Sequence, residues 1–144
     1  MELRKIDDQI TVAPQISVDD VADIAKLGFK TLVANRPDHE EPGQPAMSDL
    51  EAAAREHGLE WVYLPVESGH ITDDDVDRFA PMIRQAAKPV LAFCRSGTRC
   101  TVLWALSSAR TEPASDIVSK AGNAGYDIRG LASRLAQQAT RKDS

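Results

Sequence analysis

The sequence predicts an α/β domain with a parallel-dominated sheet of four or five strands and helices on both faces. Three observations carry this. Short apolar runs alternate with longer amphipathic segments, the pattern of strand–helix–strand units. The run from Phe29 to Ala34 is apolar and rich in β-formers, as strands buried on both faces are. The chain of 144 residues fits one domain, 1–144, with no room for a second core. A chain of this size buries roughly 68–70% of its unfolded surface, so it needs no disulfide or metal staple.

The elements follow in order. Ile10-Thr11-Val12-Ala13 reads as a short strand. Ser17, with Asp20 three positions on, opens a helix; Val21, Ile24, Ala25 and Leu27 give it one apolar face, and Gly28 ends it. The strand Phe29 to Ala34 leads into a polar loop, Asn35 to Pro45. Ala46 to His57 is a helix closed by Gly58, and Leu59 to Leu64 is a strand stopped by Pro65. A second loop, Val66 to Ile71, reaches Thr72, which caps a helix from about Asp73 to Ala87. Pro89 introduces the strand Val90-Leu91-Ala92-Phe93, which runs straight into Cys94. Cys100 to Ala109, Pro113 to Ala121 and Asp127 to Ala139 read as three further helices, and Thr140 to Ser144 as a loose tail. In parallel sheets ligands bind at the carboxyl ends of the strands. The loops after Ala34, Leu64 and Phe93 therefore converge on one candidate site.

Composition narrows the function. A net charge of −5 argues against a nucleic-acid surface, which needs a basic stripe. No apolar run approaches the 18 or so residues that span a bilayer, and the first residues lack the apolar stretch of a signal peptide. Two cysteines six positions apart make a poor disulfide framework. The expectation is a cytoplasmic protein with free thiols. No cofactor is called for. His39, His57 and His70 are not at metal-ligand spacing, and no His-x-x-x-His or Cys-x-x-Cys occurs, so no metal is expected.

The chemistry concentrates in Cys94-Arg95-Ser96-Gly97-Thr98-Arg99. Cys94 follows a strand and precedes a helix, and Gly97 lets the backbone curl so that successive N–H groups make an anion nest. The helix N-terminus adds partial positive charge; Arg95 and Arg99 add two full ones. Thiols in such settings have pKa values of roughly 3.5–7.5, so Cys94 is expected to be a thiolate nucleophile whose anionic adduct the N–H groups hold. Free cysteine is more often a small buried hydrophobe, but Arg-Ser-Gly-Thr-Arg after it does not suit a core. Arg99 is the expected anion ligand. Arg95 is either a second ligand or a solvated side chain, and Ser96 and Thr98 serve through backbone N–H and hydroxyl groups.

Three segments resemble cysteine-dependent protein phosphatases of the dual-specificity type: Thr31 to Arg36, Trp61 to Val66, and Lys88 to Gly97. From about Leu3 to Ala139 the chain is identified as a member of the phosphatase-like domain family of the beta-lactamase-hydrolase-like proteins. The resemblance implies a bacterial domain, standing alone or fused to a metallo-hydrolase domain, with a functional partner in sulfide oxidation. Three departures stand out. Phe93 replaces the His that such phosphatases keep before the nucleophile. Cys100 occupies the position of their phosphate-binding Arg, with Arg99 one place early. Ser68 falls where they carry the acid that protonates the departing alcohol, a proton that an alkoxide needs.

The shorter loop also reads like that of rhodanese-type sulfurtransferases, in which persulfide transfer needs no general acid. The favoured expectation is therefore a persulfide on Cys94, with thiosulfate or another small anion as donor. The second is a phosphomonoester hydrolase with a phosphocysteine at Cys94 and Glu67 or Asp73 as acid. The third is a catalytically quiet anion-binding or thiol-sensing domain. Cys100 is either a resolving thiol for Cys94 or a small residue packed at the helix start. His70 and Arg36 are candidate substrate contacts because their loops lie at the same end of the sheet; the alternative for both is a solvated loop residue. Asp73 with its neighbours also suits the cap of a helix, and Trp61 and Trp104 suit the core. The oligomeric state is not legible.

Overall fold

Val90 to Phe93 offers no polar side chain to solvent, so the strand must be covered on both faces. The computed structural model, which describes residues 1–141, places it at the centre of a five-stranded sheet ordered β1-β2-β5-β3-β4. The strands are β1 (Arg4–Lys5), β2 (Ile10–Ala13), β3 (Thr31–Ala34), β4 (Glu60–Tyr63) and β5 (Val90–Phe93). β5 lies between β2 and β3 and is parallel to both, with Ala13 and Ala34 opposite Phe93. β4 runs parallel outside β3, and β1 is antiparallel on the far edge. β1, only two residues long, was not expected from the sequence.

Alternation along β5 divides the core in two. Leu91 and Phe93 pack with Val21 and Ile24 of α1 (Asp20–Lys26) and with Met47 and Leu50 of α2 (Met47–Glu56). Val90 and Ala92 face the opposite way, against Phe79 of α3 (Asp73–Gln85), Leu103 of α4 (Thr98–Ser108), Ile117 of α5 (Ala114–Asn123) and Leu135 of α6 (Ala132–Ala139). Helices therefore cover both faces, and each fully buried large side chain contributes about 1.5–3 kcal/mol.

Local chemistry sets the helix ends. Thr72 and Asp75 form a capping box at the start of α3, with Thr72 N–H to Asp75 Oδ2 at 2.9 Å and Asp75 N–H to Thr72 Oγ1 at 3.1 Å. Ser17 and Asp20 exchange the same pair of bonds, although regular α-helix begins only at Asp20. Leu27 is 61% exposed, contrary to its expected place on the buried face. The helix has already ended at Lys26, and the turn through Gly28 (φ +96°) carries Leu27 outward. The last expected helix, Asp127 to Ala139, is a 3-10 turn over Arg129–Leu131 followed by α6. Of the expected loose tail, Arg141 is held by Asp77 at 2.7 Å, and residues 142–144 lie outside the described residues. No helix among the described residues is long and apolar enough to cross a membrane.

Because β2, β3, β4 and β5 are parallel, their following loops emerge at one edge. Backbone bonds tie them together there. Asn35 N–H donates to Phe93 O at 2.9 Å, Val66 N–H to Asn35 O at 3.1 Å and Gln15 N–H to Arg95 O at 3.2 Å. The buried Asn35 side chain adds a bond from Nδ2 to Leu64 O at 2.8 Å.

Candidate active site

The chain leaves β5 at Phe93 and curls through Cys94 to Gly97 into α4, which begins at Thr98, two residues before its expected start. Arg99 and Cys100 thus sit in the first helical turn. Gly97 has φ +91°, a conformation L side chains rarely adopt. A Cβ there would also overlap the hydroxyl of Tyr126. That hydroxyl donates to Ser96 O at 2.9 Å, and the Arg4 guanidinium lies 5.7 Å from the Tyr126 ring centroid. On the helix side, Thr101 Oγ1 donates to Gly97 O at 2.8 Å. The loop is clamped from both flanks.

Cys94 has no exposed surface. Gly97 N–H donates to its Sγ at 3.0 Å. The Cys100 thiol, hydrogen-bonded to Cys94, is the largest influence lowering the Cys94 pKa; burial opposes it, and backbone N–H groups of Cys100, Ser96 and Gly97 add to it. The result is a fall from 9.0 to about 5. Burial drives Cys100 the other way, well above the ordinary thiol value, and the neighbouring Cys94 adds to the rise. The pair is therefore one thiolate and one thiol near neutral pH, with Cys100 as donor. Cys100→Ala is expected to move the Cys94 midpoint up toward 9, and Cys100→Ser, which keeps a donor, to move it less. Ultraviolet thiolate absorbance against pH measures both; an unmoved midpoint in Cys100→Ala would remove Cys100 from this role.

Arg99 is 5% exposed, so its charge needs a partner. Glu40 provides it end-on: Nη1 donates to Oε2 and Nη2 to Oε1, both at 2.8 Å. Nη1 also donates to Val66 O at 3.0 Å. Among the described residues this leaves the side-on edge, Nε–H and the second Nη2–H, without a protein acceptor. Such an edge matches two oxygens of a tetrahedral anion. Glu40 is held to a pKa of about 2, first by Arg99 and, against the cost of burial, by Arg36, whose Nε reaches Glu40 Oε1 at 2.8 Å.

A cleft of about 490 Å³ opens over the loop. Ser68, Arg95, Ser96, Thr98, Arg99 and Arg134 line it, with Ile71, Val102 and Leu131 as its apolar wall. No Asp or Glu is among its lining residues. A second hollow of about 500 Å³ lies at the amino ends of β2 and β5, beside Gln9 and Lys88, at the edge of the sheet away from Cys94.

Several sequence candidates thus meet at the cleft: Arg95, Ser96, Thr98, Arg99 and Ser68 line it, over Cys94 and Gly97. Others do not. Arg36 is 3% exposed, bonded to Glu40, Glu41 and Gln15, and lies behind Arg99 instead of lining the cleft. Glu67 and His70 are exposed ends of a turn in which only Gly69 has positive φ, the type II pattern; neither lines the cleft. Asp73 Oδ1 accepts from Gln138 at 3.1 Å and Arg134 at 3.3 Å, on the α6 side. The sequence reading missed Glu40, Tyr126 and Arg134. Glu40 had a usable signal, since it is a carboxylate in one of the three convergent loops. The other two come from segments far along the chain, with no local pattern to mark them.

Comparison with known proteins agrees with this geometry. Residues 2–111 match the model of the family described as beta-lactamase hydrolase-like protein, phosphatase-like domain. A beta-lactamase hydrolase-like protein of Agrobacterium fabrum is 32% identical over 140 residues, covering 96% of this chain and 32% of that protein. The chain spans about a third of the length of the curated relatives it matches. A crystal structure of a candidate phosphatase from Neisseria meningitidis is similar at a TM-score of 0.83 and 36% identity, covering 96% of this chain and 99% of the other. The fold is shared further with P. aeruginosa TpbA, solved with pTyr, at a TM-score of 0.63 and 15% identity over 95% and 90% of the two chains. The matched span takes in all five strands and the whole Cys94 loop, on a cysteine phosphatase-like fold; the chain belongs to the phosphatase-like domain family of the beta-lactamase hydrolase-like proteins.

Proposed function

We propose that this chain is a cysteine-dependent hydrolase of phosphate monoesters that works through a phosphocysteine on Cys94. The observation that carries the reading is a low-pKa thiol beside an arginine whose end-on edge is anchored and whose side-on edge is open. The Neisseria relative, similar across its whole length, supports it. This reverses the order expected from the sequence. The persulfide carrier led there on loop length and on the acid missing at Ser68, whereas the relatives described above are named for a phosphatase-like domain or a phosphatase.

In this reading Arg99 Nε and Nη2 hold two phosphoryl oxygens, and the loop N–H groups hold the others as charge develops. The Cys94 thiolate attacks phosphorus, the bond from phosphorus to the ester oxygen breaks, and that oxygen leaves with its electron pair and takes a proton from water. Water then attacks the phosphocysteine, releasing phosphate and a proton and restoring the thiolate. Cys94 is covered in the free protein, so the loop must part as the anion enters. Arg95, Ser96 and Thr98 border that entrance.

Sulfur transfer remains the second reading because one observation favours it: no carboxylate lines the cleft. The link to sulfide oxidation belongs to this reading. Intact-mass measurement after incubation with an activated aryl phosphate, and separately with thiosulfate, decides between the two. A phosphoryl adduct or released phenol that disappears in Cys94→Ser is the expected result. One added sulfur atom from thiosulfate, with no turnover of the phosphate, would establish the persulfide carrier instead.

A further inference from the structure

We infer that the substrate is a phosphoanhydride, in which the transferred phosphoryl group is joined to a second phosphate that departs as the leaving group. This rests on the phosphocysteine reading and replaces the ester leaving group with a phosphate. The first argument is the missing acid. An alkoxide needs a proton as it leaves, yet no carboxylate is among the residues lining the cleft. Glu67 is exposed outside the lining, and Asp73 is bonded to Gln138 and Arg134 on the α6 side. A phosphate leaving group, with a second pKa of about 6, departs as a stable anion without that proton.

The second argument is a pair of further guanidinium groups at the cleft. Arg95 and Arg134 share the cleft lining with Arg99. Each is tethered through one nitrogen: Arg95 Nε to Glu41 at 3.0 Å and Arg134 Nη2 to Asp73 at 3.3 Å. The tethers orient the guanidinium groups and leave N–H groups to donate. One phosphoryl dianion is matched by Arg99 and the loop N–H groups, so two further cations suit a second anionic group. The cleft, at about 490 Å³, has room for both.

Electrons and atoms balance without a co-reactant other than water. Cys94 Sγ bonds to the terminal phosphorus, and the bond from phosphorus to the bridging oxygen breaks. The bridging oxygen keeps the pair as the terminal oxygen of the departing phosphate, held by Arg95 and Arg134. Water hydrolyses the phosphocysteine to orthophosphate, and its proton passes to solvent.

The test has a binding arm and a turnover arm. In Cys94→Ser, calorimetry with inorganic pyrophosphate and with orthophosphate is expected to show pyrophosphate tighter by about tenfold or more, the worth of an added charge-assisted hydrogen bond. Arg134→Ala in that background is expected to lose most of this preference and Arg134→Lys to restore part of it. In the native protein, kcat/KM for a nucleoside diphosphate should exceed that for an alkyl phosphate by about a hundredfold or more, as expected when no acid assists departure. Equal affinity for the two anions, or brisk alkyl phosphate turnover lost in Asp73→Asn, would overturn the anhydride and leave the phosphatase standing. No turnover of any phosphate would bring down the phosphatase reading and this inference with it.

Discussion

Glu40→Ala is expected to destabilise the protein by about 3 kcal/mol and to cut kcat/KM on any phosphate substrate by about a hundredfold. Glu40 is the shared counter-ion of two arginines that are 5% and 3% exposed, Arg99 and Arg36. Its pKa falls from 4.5 to about 2, with Arg99 the largest cause; Glu40 itself is exposed, so solvent screens part of that interaction and the cost comes mainly from the buried Arg99. Removing the carboxylate leaves the buried Arg99 without its counter-ion and Arg36 with Glu41 alone, the costly way to break such a network. The stabilisation is present above pH 4.5, where the unfolded chain is already ionised, and is lost only as pH falls through about 2. The loss should therefore be as large at pH 5 as at pH 8. Urea unfolding at two pH values measures this. Glu51→Gln is the comparison, because Glu51 pairs only with the exposed Arg55 and surface pairs contribute about 0–1 kcal/mol. Equal effects of the two substitutions would show that Glu40 is not the anchor. Activity should fall with it, because Arg99 would lose the contact that turns its open edge toward the cleft.

The central strands were legible because their chemistry leaves no alternative. Val90 to Phe93 and Ile10 to Ala13 are short, apolar and bounded by turn residues, and each appears at its expected limits. The convergence of three loops followed from the parallel arrangement alone, and the position of Cys94 at the end of β5 followed from the same pattern. β1 was not legible, because two residues, Arg4 and Lys5, carry no period and form a strand only by pairing with Val12 and Thr11.

At the site, legibility ended where contacts between distant segments began. The loop sequence pointed to an anion-binding Arg99 but not to the carboxylate 59 positions earlier that holds it. Arg36 was placed at the correct end of the sheet yet proved to support Arg99 from behind, because strand position does not say which way a loop side chain turns. Tyr126 clamps Ser96 across 30 positions. Loop length left the chemistry open. Counting residues from Cys94 put Cys100 in an arginine's place and suggested sulfur chemistry. In three dimensions the Cys100 thiol is a hydrogen-bond donor to Cys94, a role compatible with either reaction.

Cys94→Ser is expected to abolish turnover and, independently, to remove a pH dependence of stability. The thiolate is favoured in the folded protein by the Cys100 thiol, against burial, and by the N–H groups of Cys100, Ser96 and Gly97, so the folded pKa is about 5 against 9.0. A depressed acid pKa stabilises the fold fully above the unfolded value and progressively less as pH falls to the folded one. Between pH 8 and pH 5 the native protein should therefore lose about 2–4 kcal/mol that the serine variant does not lose. Cys100 does not obscure the comparison, because its raised pKa leaves it protonated in both states over this range. Every other group is common to both proteins and cancels in the difference. Denaturation of the two proteins side by side at several pH values gives that difference directly. Parallel curves would mean that Cys94 is a neutral buried thiol, and the nucleophile assignment would fall whatever the activity measurements showed. Curves that converge at pH 5 and diverge above it would show that the folded loop stabilises the thiolate, first through the Cys100 thiol and then through the N–H groups of Cys100, Ser96 and Gly97.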